Sequence, residues 1–227
     1  LDKLGIKVEY IYHSCYVLES SKYQLVFDYF KGNISLKDKD TIIFASHSHP
    51  DHYSEEIFRW SRGRDDLYYV LSDDINLDSN ENMKMVAPYE SHQVKDLMIT
   101  TLSSTDMGVS YLVEMNGVNI FFSGDLHWWY WNEDTADEKI RMEKSFKDEV
   151  QRLKGLRIDI AFFPVDPRLA ENYHKGGKYF IDEINPKYFF PLHFGDNYEI
   201  IQDFINMIGH SNTTIIPIKA RNEIHDI

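Results

Sequence analysis

A single cysteine, Cys15, stands in a chain of 227 residues. One thiol cannot close an internal disulfide or furnish a cysteine-rich zinc site. It suits a reducing compartment, and the cytoplasm is the expected location. Basic residues are the second shortage: 24 Lys and Arg against 37 Asp and Glu, a formal charge of −13. Such a surface repels phosphate backbones and anionic headgroups, which speaks against nucleic-acid or membrane partners. It leaves room for a small anionic substrate, because a bound metal ion inverts the local charge. No apolar run approaches the ~18–20 residues needed to span a bilayer. The opening residues, Leu1-Asp2-Lys3-Leu4-Gly5, show no basic segment followed by an apolar one, so no signal peptide is expected. There is no Gly-x-Ser-x-Gly elbow to support a serine hydrolase. Repeats, low-complexity tracts and Pro/Gly/Ser-rich linkers are also missing, so residues 1–227 read as one domain of open oligomeric state.

What the chain does have is a regular alternation of apolar runs and turns. Residues 6–11 alternate apolar and polar like a half-buried strand, and residues 16–18 and 24–27 follow across a short turn. Residues 41–45 are continuously apolar, as in a strand buried on both faces. Further strands are expected at 68–71, 97–102, 110–115 and 118–122, the last two joined by Asn116-Gly117, a tight-hairpin signal. The second half adds helices. Thr135 and Glu138 form a capping-box pattern, Ile140, Phe146, Val150 and Leu153 a helical stripe, and Gly155 a stop. Strands at 158–163, 187–190 and 214–217 and helices at 175–183 and 198–208 complete the pattern. Strand runs ending in helices in both halves imply an α/β fold with two packed sheets and helices outside.

The ten histidines are not scattered evenly. Directly after the buried strand comes His47-Ser48-His49-Pro50-Asp51-His52. Three imidazoles and a carboxylate within six residues make a dense donor set, and zinc accepts such ligands at ~2.0–2.2 Å. Manganese or iron are alternatives. In an extended loop His47 and His49 point the same way while Asp51 and His52 turn to an adjacent position, so one loop can serve two neighbouring ions. A lone histidine in a loop is most often a surface residue; this density is not.

The run resembles the His-x-His-x-Asp-His signature of the metallo-β-lactamase superfamily, a four-layer αββα sandwich of mainly hydrolytic enzymes. Later landmarks fall in order. Ser123-Gly124-Asp125 stands where that family places a carboxylate bridging two metals, and Pro191-Leu192-His193-Phe194-Gly195 where it places a final histidine ligand. Within the superfamily the chain is similar to the UlaG-like branch. Tyr12-His13-Ser14-Cys15 resembles its early hairpin, and Leu25-Val26-Phe27-Asp28 its strand ending in a buried Asp. The resemblance implies that Asp28 lies beneath the histidine loop and fixes it by hydrogen bonds; the alternative is an ordinary turn aspartate. His13 either lines the pocket or packs structurally.

One landmark is absent. The family supplies another histidine near Ser103–Gly108, and this chain has Thr105-Asp106 there. Either Asp106 replaces the imidazole, favouring harder metals such as manganese, or the His47/His49 position is weak and one metal sits at Asp51, His52, Asp125 and His193. In Leu126-His127-Trp128-Trp129-Tyr130-Trp131 the aromatics, Trp128 among them, read as a pocket wall or as core, and His127 as a substitute ligand, a proton carrier or core. Asp166 and Arg168 either pair with each other or let Arg168 bind an anionic substrate group. The resemblance implies a hydrolase that uses metal-bound hydroxide, oriented by Asp51, on an ester, lactone or phosphoester of a small molecule. The rivals are a non-catalytic descendant and a diiron redox protein, against which His49 argues.

Overall fold

The computed structural model describes residues 4–227; Leu1–Lys3, on which the signal-peptide expectation partly rests, lie outside them. Two seven-stranded sheets form the centre. The first runs in the order β14-β1-β2-β3-β4-β5-β6, with β1 Lys7–Tyr12, β2 Cys15–Glu19, β3 Gln24–Phe27, β4 Thr41–Ala45, β5 Leu67–Ser72, β6 Met83–Val86 and β14 Ile224–Asp226. The second runs β13-β12-β11-β10-β9-β8-β7, with β7 Ser91–Val94, β8 Leu97–Ser103, β9 Val109–Met115, β10 Val118–Phe122, β11 Ile160–Pro164, β12 Tyr188–Leu192 and β13 Thr214–Ile215. Helices α1 Ala136–Gln151, α2 Lys175–Ile184 and α3 Glu199–Ile208 follow the second sheet's strands. Two sheets flanked by helices is the expected α/β sandwich.

Both sheets change from antiparallel to parallel pairing across their width. In the first, β1, β2 and β3 pair antiparallel, then β3 to β6 run parallel. In the second, β7 to β10 are antiparallel and β10 to β13 parallel. The parallel strands β3, β4, β11 and β12 are buried along their whole length, which explains their mostly apolar sequences. Between the sheets Phe27 stacks on Phe44 at 4.6 Å and on Phe122 at 4.7 Å, so one ring ties the sheets together. A second apolar cluster, around Phe121, Phe163, Phe180 and Phe204, lies under the helices. The outer face of the first sheet is covered more thinly, by loops and a short 3-10 turn at Glu55–Arg59 that buries Ile57.

The capping box is present: Thr135 Oγ accepts from the Glu138 N–H, and Glu138 accepts from Thr135. Ile140 departs from the stripe read in the sequence. It is 64% exposed, and the buried face of α1 is Phe146, Glu149 and Val150. Strands β6, β7 and β14 were not anticipated; they are three or four residues long and mostly exposed or half-buried at sheet edges, too short to show periodicity.

Candidate metal centre

The donor residues collect where strands of both sheets end. Asp28 follows β3, the His47–His52 loop follows β4, Asp125 follows β10, Asp166 follows β11 and His193 follows β12. His13 sits at the tip of the β1–β2 hairpin. The carboxyl ends of parallel strands are where open α/β sheets place their ligands, and here two such edges face each other. Close approach of the loops requires glycine. Gly108 and Gly124 have φ of +68° and +51°, and a Cβ on either would lie 2.0 Å from Ser46 O or 2.6 Å from Ser46 Cβ. The Val109 N–H donates to Ser46 O at 2.9 Å, fastening the second sheet to the histidine loop.

Two donor groups result. His13, Asp51, His52 and His193 bring one ligand atom each within 4.8 Å of one another, and so do His47, His49 and Asp125. Asp125 spans both. Its Oδ1 lies 3.2 Å from His52 Nε2 and 3.4 Å from His193 Nε2, while its Oδ2 lies 3.5 Å from His47 Nε2. Asp51 Oδ2 is 3.4 Å from His13 Nε2, 3.9 Å from His193 Nε2 and 4.0 Å from His52 Nε2. Ligands ~2.1 Å from one ion stand about 3.0–3.6 Å apart at bond angles between square and trigonal. Most of these separations fall in that range, and the remaining two fit wider angles.

Among the described residues, several buried atoms at the centre lack hydrogen-bond partners. His13 Nε2, His47 Nε2, His52 Nε2, His193 Nε2 and Asp125 Oδ1 have no hydrogen bond. Orphans of this kind are costly unless something else satisfies them, and their convergence fits a divalent cation held by nitrogen and oxygen. The opposite ring nitrogens of His47, His52 and His193 are engaged, so their tautomers follow from the network. Asp28, fully buried, accepts from the Ser46 N–H at 2.7 Å, the Ser46 hydroxyl at 2.7 Å and His52 Nδ1 at 2.7 Å. Because the Ser46 proton goes to Asp28, Ser46 Oγ accepts from His47 Nδ1 at 2.9 Å. His193 Nδ1 donates to Asp166 at 2.8 Å. Each arrangement leaves an Nε2 lone pair facing the centre.

The electrostatics agree. Burial opposes charge on His52, yet Asp125 and Asp28 outweigh it and raise its pKa well above the imidazole value. Burial pushes the Asp125 carboxyl up, but the charges on His52 and His193 hold it well below the usual range. His13, working against partial burial and together with the His52 and His193 charges, holds Asp51 low as well. His47 and His13 are lowered, chiefly by burial, and offer neutral rings. The centre attracts positive charge, whether a proton on His52 or a cation in its place.

The remaining expected residues divide. Asp106 stands at the rim with Oδ2 3.8 Å from His49 Nδ1, outside the tighter donor group. The Thr105 hydroxyl donates to His127 O at 2.6 Å and receives the His127 N–H at 2.9 Å, so this residue ties down the loop after Asp125. His127 turns away from the donors. It is fully buried against Trp129, Phe146 and Phe163, and burial pushes its pKa down to about 3. Trp128 stacks on Phe146 beneath α1. The aromatic wall of the cleft, which has a volume of about 370 Å3, is instead Trp129 and Trp131, beside Met142, Asp106 and Arg168. Asp166 and Arg168 form the structural pair: the guanidinium nitrogens Nε and Nη2 both reach Asp166 Oδ2, at 2.9 and 2.6 Å. Sequence reasoning missed Ser46, and also Asp74, which accepts from the Ser48 N–H at 2.8 Å. Neither carries a sequence signal beyond its neighbours.

The model of the beta-lactamase superfamily domain matches residues 7–140, more than half of the chain. No curated protein matches. Among solved structures, Igni18, a metallo hydrolase from the archaeon Ignicoccus hospitalis, superposes with a TM-score of 0.67 at 14% identity, covering 98% of each chain. The metallo-β-lactamase fold protein YhfI from Bacillus subtilis gives 0.65 at 14%, covering 97% of this chain and 98% of that one. CmlA, a diiron β-hydroxylase from Streptomyces venezuelae, gives 0.57 at 10%, covering 98% of this chain and 54% of that one. These likenesses carry the fold. The sequence match runs from the first strand through the histidine loop and Asp125, and the fold brings His193 to the same centre from outside that segment: the chain belongs to the metallo-β-lactamase superfamily.

Proposed function

We propose that this protein is a metal-dependent hydrolase acting on an ester, lactone or phosphoester bond of a small molecule. The observation that carries the reading is Asp125, whose two oxygens face two separate donor groups at the floor of an open cleft. A divalent ion bound there lowers the pKa of water and polarises a carbonyl or phosphoryl oxygen. Zinc suits the imidazole-rich donors, with manganese or iron as alternatives, and either one or two ions. His47, His49, Asp51, His52, Asp125 and His193 are the proposed ligands, with Asp106 a rim carboxylate able to reach the His49 side. Asp51 is half-exposed toward the cleft and ionised at neutral pH, placed to orient the attacking water.

Trp129 and Trp131 lie parallel, with centroids 5.9 Å apart, and the Arg168 guanidinium sits 5.9 and 5.8 Å from the two rings. This wall is proposed to hold the flat or apolar part of a substrate, with Arg168 beside an anionic group. The His13 hairpin and the buried Asp28 support the UlaG-like branch. Donors drawn from residues 13 to 193 support one domain. Among the described residues no helix is long and apolar enough to cross a membrane; the lone buried Cys15 supports a cytoplasmic location.

The test is a panel of generic esters, lactones, thioesters and phosphodiesters offered to protein loaded with zinc, manganese or iron. One class should be turned over, and Asp51→Asn should lower its rate by about 10²–10⁴-fold. If His52→Ala and Asp125→Ala leave the protein's activity unchanged, the site is vestigial and the reading fails.

A further inference from the structure

The two halves of the cluster are unequally furnished. On one side stand, among the described residues, His47, His49 and Asp125 Oδ2. Thr105, which occupies the place where a third imidazole was expected, spends its hydroxyl on the His127 backbone, and Asp106 is half-exposed at the rim. On the other side Asp51, His52, His193 and Asp125 Oδ1 converge, and His13 joins them. Its Nε2 is buried, lacks a hydrogen-bond partner and lies 3.4 Å from Asp51 Oδ2; its ring centroid is 4.1 Å from that of His193.

The hairpin tip holds His13 there by a dedicated set of bonds. The His13 N–H donates to the Tyr10 hydroxyl at 2.8 Å, which in turn donates to Gly195 O at 2.6 Å. The His193 N–H donates to His13 O at 3.1 Å. His13 and His193 both have positive φ, +58° and +67°, a conformation that side-chain-bearing residues rarely adopt. Strain of this kind persists where surrounding structure enforces it and gathers at functional sites. Here two strained histidines are laced together by their backbones and present unpartnered Nε2 atoms to the same point. Unlike the unpartnered ring nitrogens of His127 in the aromatic core, the His13 orphan converges with those of His52 and His193.

We propose that His13 is a metal ligand of the Asp51 half. The chain then has one tight position, held by His13, Asp51, His52, His193 and Asp125 Oδ1, and a weaker one, held by His47, His49 and Asp125 Oδ2, and it fills them in that order. This rests on the metal-dependent reading but not on any particular reaction.

The test titrates metal-stripped full-length protein with cobalt(II), and separately with zinc(II) against a competing chelator, following uptake and the cobalt visible spectrum. His13→Asn keeps a side chain that tolerates positive φ. It should weaken the first ion by about 10–100-fold or more and alter the cobalt band, whereas His49→Asn should weaken the second ion and leave the first within about threefold. Thermal melts of the metal-free variants check folding. If His13→Asn does not fold, wild-type protein with one equivalent of cobalt decides by NMR: three hyperfine-shifted imidazole rings support the proposal, and two overturn it. An unchanged first ion in His13→Asn, or a first ion weakened chiefly by His49→Asn, also overturns it. Ordered uptake without hydrolysis of any offered bond sinks the hydrolase reading alone; no uptake sinks both.

Discussion

Replacing Asp28 by Asn should disable both halves of the centre while leaving the fold nearly intact. Asp28 touches no cleft; it is fully buried and accepts three hydrogen bonds, from Ser46 N–H, Ser46 Oγ–H and His52 Nδ1. Asn has the same shape, and it tolerates the φ of +46° found here. Its carbonyl can still accept from the Ser46 N–H. Its NH2 group, however, faces two groups that were donors. His52 must give up the Nδ1 bond or move its proton to Nε2, the atom aimed at the centre. Ser46 Oγ becomes the acceptor for the introduced amide, so its own proton turns toward His47 Nδ1, and His47 must also carry its proton on Nε2. One substitution thereby reverses two imidazoles. Loss of a partner that orients a ligand costs about 10–100-fold in metal affinity, or roughly 1.4–2.8 kcal/mol, and here each half of the centre is struck once. The metal-free protein should lose only about 1–3 kcal/mol, the cost of one mispaired buried group. Cobalt or zinc titration measures the first quantity, thermal unfolding the second, and nitrogen-detected NMR of the histidine rings reads the tautomers. A folded Asp28→Asn protein whose affinity for both ions stays within about threefold of wild type would refute the reasoning.

Three further outcomes follow from the same geometry. Asp166→Asn removes the anionic acceptor of His193 Nδ1, so metal affinity should fall by about 10–100-fold at the Asp51 half and by less at the His47 half; equal loss at both halves would contradict the assignment. Gly108→Ala adds a Cβ 2.0 Å from Ser46 O at a φ of +68°, and should cost about 2–5 kcal/mol, or roughly 5–15 °C in melting temperature, displacing the histidine loop as it does so. A variant that melts with wild type would show that the loops are not in contact. Tyr16 and Tyr111 are fully buried, their hydroxyls donating to Pro191 O and to Ala45 O, and burial raises both pKa values well above that of free tyrosine. An acid whose folded pKa is raised gives stability that is complete below its unfolded pKa of about 10 and lost above it. Unfolding free energy should therefore fall by about 2.7 kcal/mol per pH unit above about pH 10 from these two groups, and denaturant titrations that stay flat to pH 11.5 (about 1.5 units beyond that onset) would count against it.

The parts of this fold that were legible in the sequence are those whose chemistry is local. Strand β4 announced itself because parallel strands are buried on both faces, and α1 because Thr135 and Glu138 satisfy each other within one turn. The histidine loop was legible because four donors fall within six residues. What stayed hidden depends on which segments meet. His13 and His193 lie at opposite ends of the chain, and nothing in Tyr12-His13-Ser14 distinguishes a ligand from a packed ring until Tyr10 and Gly195 are seen to bind the hairpin to the His193 loop. Trp128 and Trp129 are adjacent in the chain, yet one packs beneath α1 and the other forms the cleft wall. Thr105 read as a failed ligand because the hydroxyl's real partners, the backbone of residues 125 and 127, come from another loop.

The same distinction bears on how the two halves of the centre are furnished. Its donors come from the ends of both sheets, so their spacing is set by how the sheets pack, through Phe27 against Phe44 and Phe122, and not by any single loop. The Thr105 loop of the second sheet spends its hydroxyl on backbone, while the hairpin of the first sheet holds the His13 ring within 4.1 Å of that of His193 between centroids. Asp125 couples the two because one of its oxygens faces each half. An ion held first by the Asp51 group would fix the Asp125 carboxylate and so orient Oδ2 for the His47 side. The weaker position would then depend on the stronger one being filled: in Asp51→Asn or His52→Asn protein, the His47 side should lose affinity as well, although neither residue faces it.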